Sequence, residues 1–203
     1  MNRPIKTNLS LSVKVVLLCS FVTGIGVGFI MPVSVLFYND KFGIEPIEIG
    51  TITTVAGLIG VSVSWFAGRA SDKIGRKPLI ALGGISARIC TILLPVTSDV
   101  NQAAALMSLR GVGFNLFMPA ERALRADIVL EEGRGRVFGM FGATFTAGDI
   151  VGPIVRTWLY SLYRFETLSI LGFLFPGYGI CFLIYSITGI TSVILLVALV
   201  DRK

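Results

Sequence analysis

"GRASDKIGRKP", residues 68–78, places Arg69, Asp72, Lys73, Arg76 and Lys77 together between two apolar stretches. The chain around it is oily: of 203 residues, 54% are hydrophobic, 15% are charged and none is histidine. A soluble domain carries about a quarter charged residues. Long, nearly charge-free blocks on either side of a charged run read as membrane-crossing helices joined by an aqueous turn. Within the run, Gly68 allows a neighbouring helix to come close and Gly75 suits a tight turn. Pro78 fits the first turn of the next helix, where its missing N–H costs nothing. Asp72 and Arg76 are then placed for charged contacts at helix ends.

Working outward from this turn, a spanning helix needs about 20 mostly apolar residues. Six stretches qualify, at 13–38, 47–67, 79–97, 101–120, 137–160 and 176–200. Residues 161–175 are apolar but interrupted by Arg164 and Glu166, and read as an interfacial loop. The expected architecture is one all-α, polytopic, six-helix membrane domain covering residues 1–203.

Lys and Arg set the orientation. Arg3, Lys6 and Lys14 precede or open the first span; Arg69, Lys73, Arg76 and Lys77 lie between spans two and three. Arg122, Arg125, Arg134 and Arg136 lie between spans four and five, and Arg202 and Lys203 end the chain. The opposite side has only Lys41 and Arg164. Positive residues mark the cytoplasmic side, so both termini are expected in the cytoplasm of a cell-membrane protein. The basic start is followed by an apolar run too long for a signal-peptide core, and reads as a retained first span.

Other classes fit poorly. The net charge of +6 lies in loops rather than on a face with interleaved aromatics, so nucleic acid is not the expected partner. Cys19, Cys90 and Cys181 fall singly in three apolar blocks and form neither a disulfide framework nor a metal site. With no histidine, no ligand cluster and no paired nucleophile and base, no enzyme, metal or cofactor is expected.

The run from Gly68 to Lys77 resembles the loop 2–3 signature of the major facilitator superfamily, "GxxxD(R/K)xGR(R/K)". The resemblance extends over nearly the whole chain. "RGVGFNLFMPAERALRADIV" (110–129) looks like that family's fourth helix, with Gly111, Gly113, Pro119, Ala120 and Asp127 in register. "GRGRVFG" (133–139) resembles the loop that follows, and Gly139, Gly148, Gly152 and Pro153 resemble the fifth-helix signature of the family's antiporters. Two positions depart from the pattern. Met107 stands where the fourth helix usually has arginine, with Arg110 at the glutamine position, and Arg156-Thr157 replaces a closing Gly-Gly pair. The resemblance implies that Asp72, Arg76 and Asp127 form a cytoplasmic charge cluster latching the outward-facing state.

Ionisable residues at membrane mid-depth cost about 2.5–3.5 kcal/mol each, so each needs a reason. Arg110 and Asp149 fall there on spans four and five, and are the expected cavity-lining pair for substrate or a coupling ion. A buried ion pair fixing helix packing is the other reading. Thr23 and Asn115 are lesser polar candidates, and Arg88, on a helix that is peripheral in the family, is read as structural.

"GVGFIMP" (26–32) in span one echoes "GVGFNLFMP" (111–119) in span four. The two spans cross in opposite directions, as an inverted 3+3 repeat requires. Six spans make half of such a transporter, and the chain stops at "VDRK", where a central loop would begin. The expected function is secondary transport of a small solute by alternating access, coupled to an ion such as the proton, with efflux or antiport as one open direction and uptake as the other. The chain would act as a half-transporter, alone, with a second half or as a homodimer, or be a truncated product. The competing expectation is a non-transporting membrane subunit or an inactive remnant.

Overall fold

In the computed structural model, residues 11–129, 134–163, 168–170, 173–175 and 179–199 are described here. They form six helices: α1 (Leu11–Phe42), α2 (Pro46–Ile74), α3 (Arg76–Leu93), α4 (Val100–Ile128), α5 (Arg134–Tyr163) and α6 (Gly179–Leu199). A single 3₁₀ turn, Leu94–Val96, follows α3. Five helices are long and apolar enough to cross a membrane; α4, bearing Arg110, Asn115 and Glu121, is long enough but too polar by that measure. The molecule is a polytopic all-α membrane protein. Arg3, Lys6, Arg164, Glu166, Arg202 and Lys203 of the charge and loop expectations lie outside the described residues.

The helix ends follow from local chemistry. Glu45 caps α2 through a capping box with Glu48, whose Oε2 accepts from the Glu45 N–H at 3.1 Å, and Pro46 occupies the first helical position. Asp99 caps α4 by accepting from the Asn101 N–H at 3.2 Å. Gly75 alone joins α2 to α3, at φ 100°, ψ 160°, a region open essentially to glycine, and its N–H closes on Ser71 O at 3.1 Å.

Two differences from the sequence reading concern lengths. Arg122 and Arg125, expected in a loop, lie on α4, because the helix runs on to Ile128. The stretch read as an interfacial loop includes the last turn of α5 and a short antiparallel hairpin, β1 (Leu168–Ile170) with β2 (Phe173–Phe175), pairing Leu168 with Phe175.

Small residues set the packing. Without a hydrophobic drive between helices in lipid, close backbone approach through glycine supplies much of the association. On α1, Gly24 and Gly28 rest on the backbone of Phe145 and Asp149; on α5, Gly148 and Gly152 rest on Phe21 and Ile25. Gly83 of α3 and Gly113 of α4 meet likewise. The main neighbour relations are α1 with α5 and α6, α4 with α2 and α3, and α3 with α6. Exchanging α1 with α4, α2 with α5 and α3 with α6 leaves that set unchanged, a property any inverted 3+3 repeat must have. The core has two parts, one around Val16, Ile80, Leu124, Phe141 and Leu196, the other around Phe29, Phe37, Leu94 and Phe182. Cys19, Cys90 and Cys181 are free and buried. In their apolar windows only 17% of α2 and of α5 is buried, against 56% of α1 and α3, so α2 and α5 present the open faces of the bundle.

Candidate functional site

At the charged end of the bundle Arg76 opens α3, directly after the Gly75 joint. Its Nη1 pairs with Asp127 Oδ2 and also donates to the Ala123 carbonyl. One guanidinium thus binds both a carboxylate and a carbonyl in the last turns of α4, where the helix dipole favours a cation. The two side chains are 23% and 36% exposed, so water screens the pair and its value lies in geometry more than in stability. Asp72, expected in the same cluster, is exposed and has no ion pair among the described residues. Gly68 is half-buried, with open space where a side chain would project. Arg69 stacks on Trp65, its guanidinium carbon 3.8 Å from the ring centre. Arg134, at the start of α5, donates to Ala126 O at 3.4 Å, tying the next helix to the same end.

A second pair above it escaped the sequence reading. Glu121, 7% exposed, bonds Arg125 one turn along α4, and the Arg125 guanidinium lies 5.4 Å from the Phe141 ring centre on α5. The available signal was the acid-before-base spacing of four residues on a helix. It was hidden because the apolar span ends at residue 120, just short of both residues.

Deeper in the bundle, Arg110 lines a cleft of about 190 Å³ between α2 and α4, with Thr53, Ala56, Met107, Phe114 and Asn115 around it. Asn115 is tied down on both sides: its Nδ2 donates to Gly111 O at 2.9 Å and its Oδ1 accepts from Ser64 Oγ at 2.7 Å. Gly60 of α2 leaves the room that Asn115 fills. Thr23 is half-buried on α1, apart from this cleft.

Asp149 sits elsewhere, half-buried on α5 where that helix crosses α1 at Gly28. It forms no ion pair among the described residues and does not line the Arg110 cleft. The structure therefore does not join Arg110 to Asp149. Of the fifth-helix signature, Gly148 and Gly152 make the α1 contact, Pro153 is half-buried beside them, and Gly139 is exposed with open space around it. Arg88 is 4% exposed between α3 and α6, donates to the Tyr185 hydroxyl at 2.5 Å, and fills a slot left by Gly189. No group of three His, Cys, Asp or Glu able to hold a metal occurs among the described residues.

Residues 16–203 match the family model of the Major Facilitator Superfamily. Among similar proteins, a Na(+), Li(+), K(+)/H(+) antiporter of Planococcus maritimus is 25% identical over 77% of this chain and 38% of its own length. The quinolone resistance protein NorA of Staphylococcus aureus is 26% identical over 66% of this chain and 34% of its own. Multidrug resistance protein 1 of Bacillus subtilis is 25% identical over 78% of this chain and 40% of its own. The matched segment thus spans well under half the length of each of these curated relatives.

Proposed function

Since the chain belongs to the Major Facilitator Superfamily, a family of transporters rather than enzymes, we propose that it forms one six-helix half of a secondary active transporter. It moves a small solute by alternating access, coupled to protons and directed to export. The direction and coupling take support from relatives named as an antiporter and as drug-resistance proteins. The open faces of α2 and α5 leave a surface for a second half, either further along a longer chain or in a second copy of this one. Both termini lie in the cytoplasm of a cell-membrane protein, with Arg69, Lys73, Arg76 and Lys77 on the positive side.

The observation that carries this reading is the Arg76 contact with Asp127 and Ala123. It holds the start of α3 against the end of α4 at one end of the bundle only, where a latch on one access state must sit. The Arg110 cleft offers a solute a place at depth where Arg110, Thr53 and Asn115 sit among apolar residues. The test is drug uptake driven by a proton gradient in proteoliposomes of the wild type, Arg76→Ala and Asp127→Ala. Transport by the wild type and a large loss in both variants, with insertion intact, supports the latch. Unchanged transport in both variants removes it. Absence of wild-type transport, with correctly inserted protein, favours a non-transporting subunit or remnant.

A further inference from the structure

Three arginines of α3 and α4 are committed to partners. Arg76 bonds Asp127 and the Ala123 carbonyl, Arg125 bonds Glu121, and Arg88 donates to the Tyr185 hydroxyl. Arg110 is different. Half-buried well inside α4, it forms no ion pair and no hydrogen bond with any described residue. The carboxylates on either side of it along the chain, Asp99 and Glu121, are each about three helical turns away, and Glu121 is taken by Arg125. An arginine at this depth has a cost that a partner must offset.

The rest of the cleft shows what kind of partner fits. Its volume is about 190 Å³, no carboxylate lines it, and its two other polar side chains are already satisfied. Thr53 Oγ1 donates back to the Ile49 carbonyl at 2.5 Å. Asn115 is held between the Gly111 carbonyl and Ser64 Oγ. Met107 and Phe114 supply apolar walls. Among the described lining residues, the Arg110 guanidinium is thus the uncommitted polar side chain.

We propose that this cleft binds a small organic anion, with a carboxylate head on the Arg110 guanidinium and a compact apolar body against Met107 and Phe114. The guanidinium carries donors in a planar fork and no acceptor, which matches a carboxylate and repels a cation. A single negative charge balances Arg110, whereas a second would leave net charge at depth. The volume is below the roughly 300–1,000 Å³ of a drug-sized pocket, so the body is about the size of one ring. As the substrate class of the transporter this inference rests on the transport reading; as an equilibrium site it does not.

The test is equilibrium binding of radioactive benzoate to the purified full chain in detergent. Acetate, benzyl alcohol and benzyltrimethylammonium compete as the head alone, the body alone and the body with opposite charge. Benzoate should bind saturably, yield weakly to the first two and not to the cation. Arg110→Gln should weaken binding at least about tenfold, the loss expected when a charge-assisted hydrogen bond goes. Removing a charge from membrane depth lowers the cost of insertion, so misfolding does not explain that loss. Arg110→Lys keeps the charge without the fork and should fall between the two. Arg69→Gln, which removes an exposed cation elsewhere, should bind as the wild type does. No saturable binding by the folded wild type overturns the proposal, as does equal displacement by benzyltrimethylammonium. So does unchanged affinity in Arg110→Gln, or an equal loss in Arg69→Gln, which would reveal diffuse attraction to positive charge. Benzoate binding without drug transport in proteoliposomes keeps this site and counts against the transport reading. Drug transport without benzoate binding does the reverse.

Discussion

On the α3–α6 contact, Arg88 is 4% exposed, donates to the Tyr185 hydroxyl at 2.5 Å, lies 4.4 Å from that ring's centre and fills the space Gly189 leaves. On the α1–α5 crossing, Asp149 is half-buried, meets glycine backbone and has no ion pair among the described residues. Both residues are ionisable and lie along membrane-spanning helices, where a charge has a cost to offset. Arg88 is committed to a hydroxyl and an aromatic face and serves packing. Asp149 meets the glycine backbone of α1 and is tied to no cation among the described residues. A charge in the bilayer is thus informative only together with its neighbours.

The two contacts also differ in what can yield. At Gly28 an added methyl group would meet the backbone carbonyl of Asp149, whereas at Gly189 it would meet the Arg88 side chain. Gly28→Ala must therefore push α1 from α5, and the expected loss is about 3 kcal/mol, the upper end for overpacking. It is measured by thermal unfolding in detergent. Gly189→Ala should cost about 1 kcal/mol, the lower end of the same range, because a side chain can move. Adding Arg88→Met should recover most of it, a coupling that a double-mutant cycle reads directly. Equal losses at the two glycines would erase the distinction between a backbone crossing and a side-chain slot. The smallest effect is expected for Asp149→Asn, within about 0.5 kcal/mol of wild type, as for a residue outside the packed core. A large loss there would mean that Asp149 is structural after all.

The joint at Gly75 and its neighbours were legible before any coordinates. A glycine between charged residues and a proline, flanked by apolar blocks, has few folded readings, and the backbone there adopts a conformation open essentially to glycine. The contact of Arg76 with Asp127 was reachable only through resemblance, since the two are far apart in sequence. Asp72 looked equivalent to Arg76 in the same run, yet the helix turns it away to solvent. Periodicity says nothing about which turn of a neighbouring helix a side chain reaches. The same limit explains Arg110 and Asp149: equal depth along two spans does not place them on facing sides, and α4 packs on α2 and α3 while α5 packs on α1. Gly148 and Gly152 stood out in the sequence as part of a helix signature, whereas Gly24 and Gly28, at the same spacing, did not. That these two glycine pairs meet at one crossing is a tertiary fact.

The polarity of α4 bears on how the chain packs in the bilayer. Five helices are long and apolar enough to cross a membrane, while α4, with Arg110, Asn115 and Glu121, does not reach that mark. Its polar groups favour a packed partner in the bilayer, and only three residues, Thr97, Ser98 and Asp99, separate the turn after α3 from its start. The reciprocal glycines Gly83 and Gly113 let α3 receive it as a closed hairpin. The α3–α4 pair thus offers the more polar helix a close partner within the bundle.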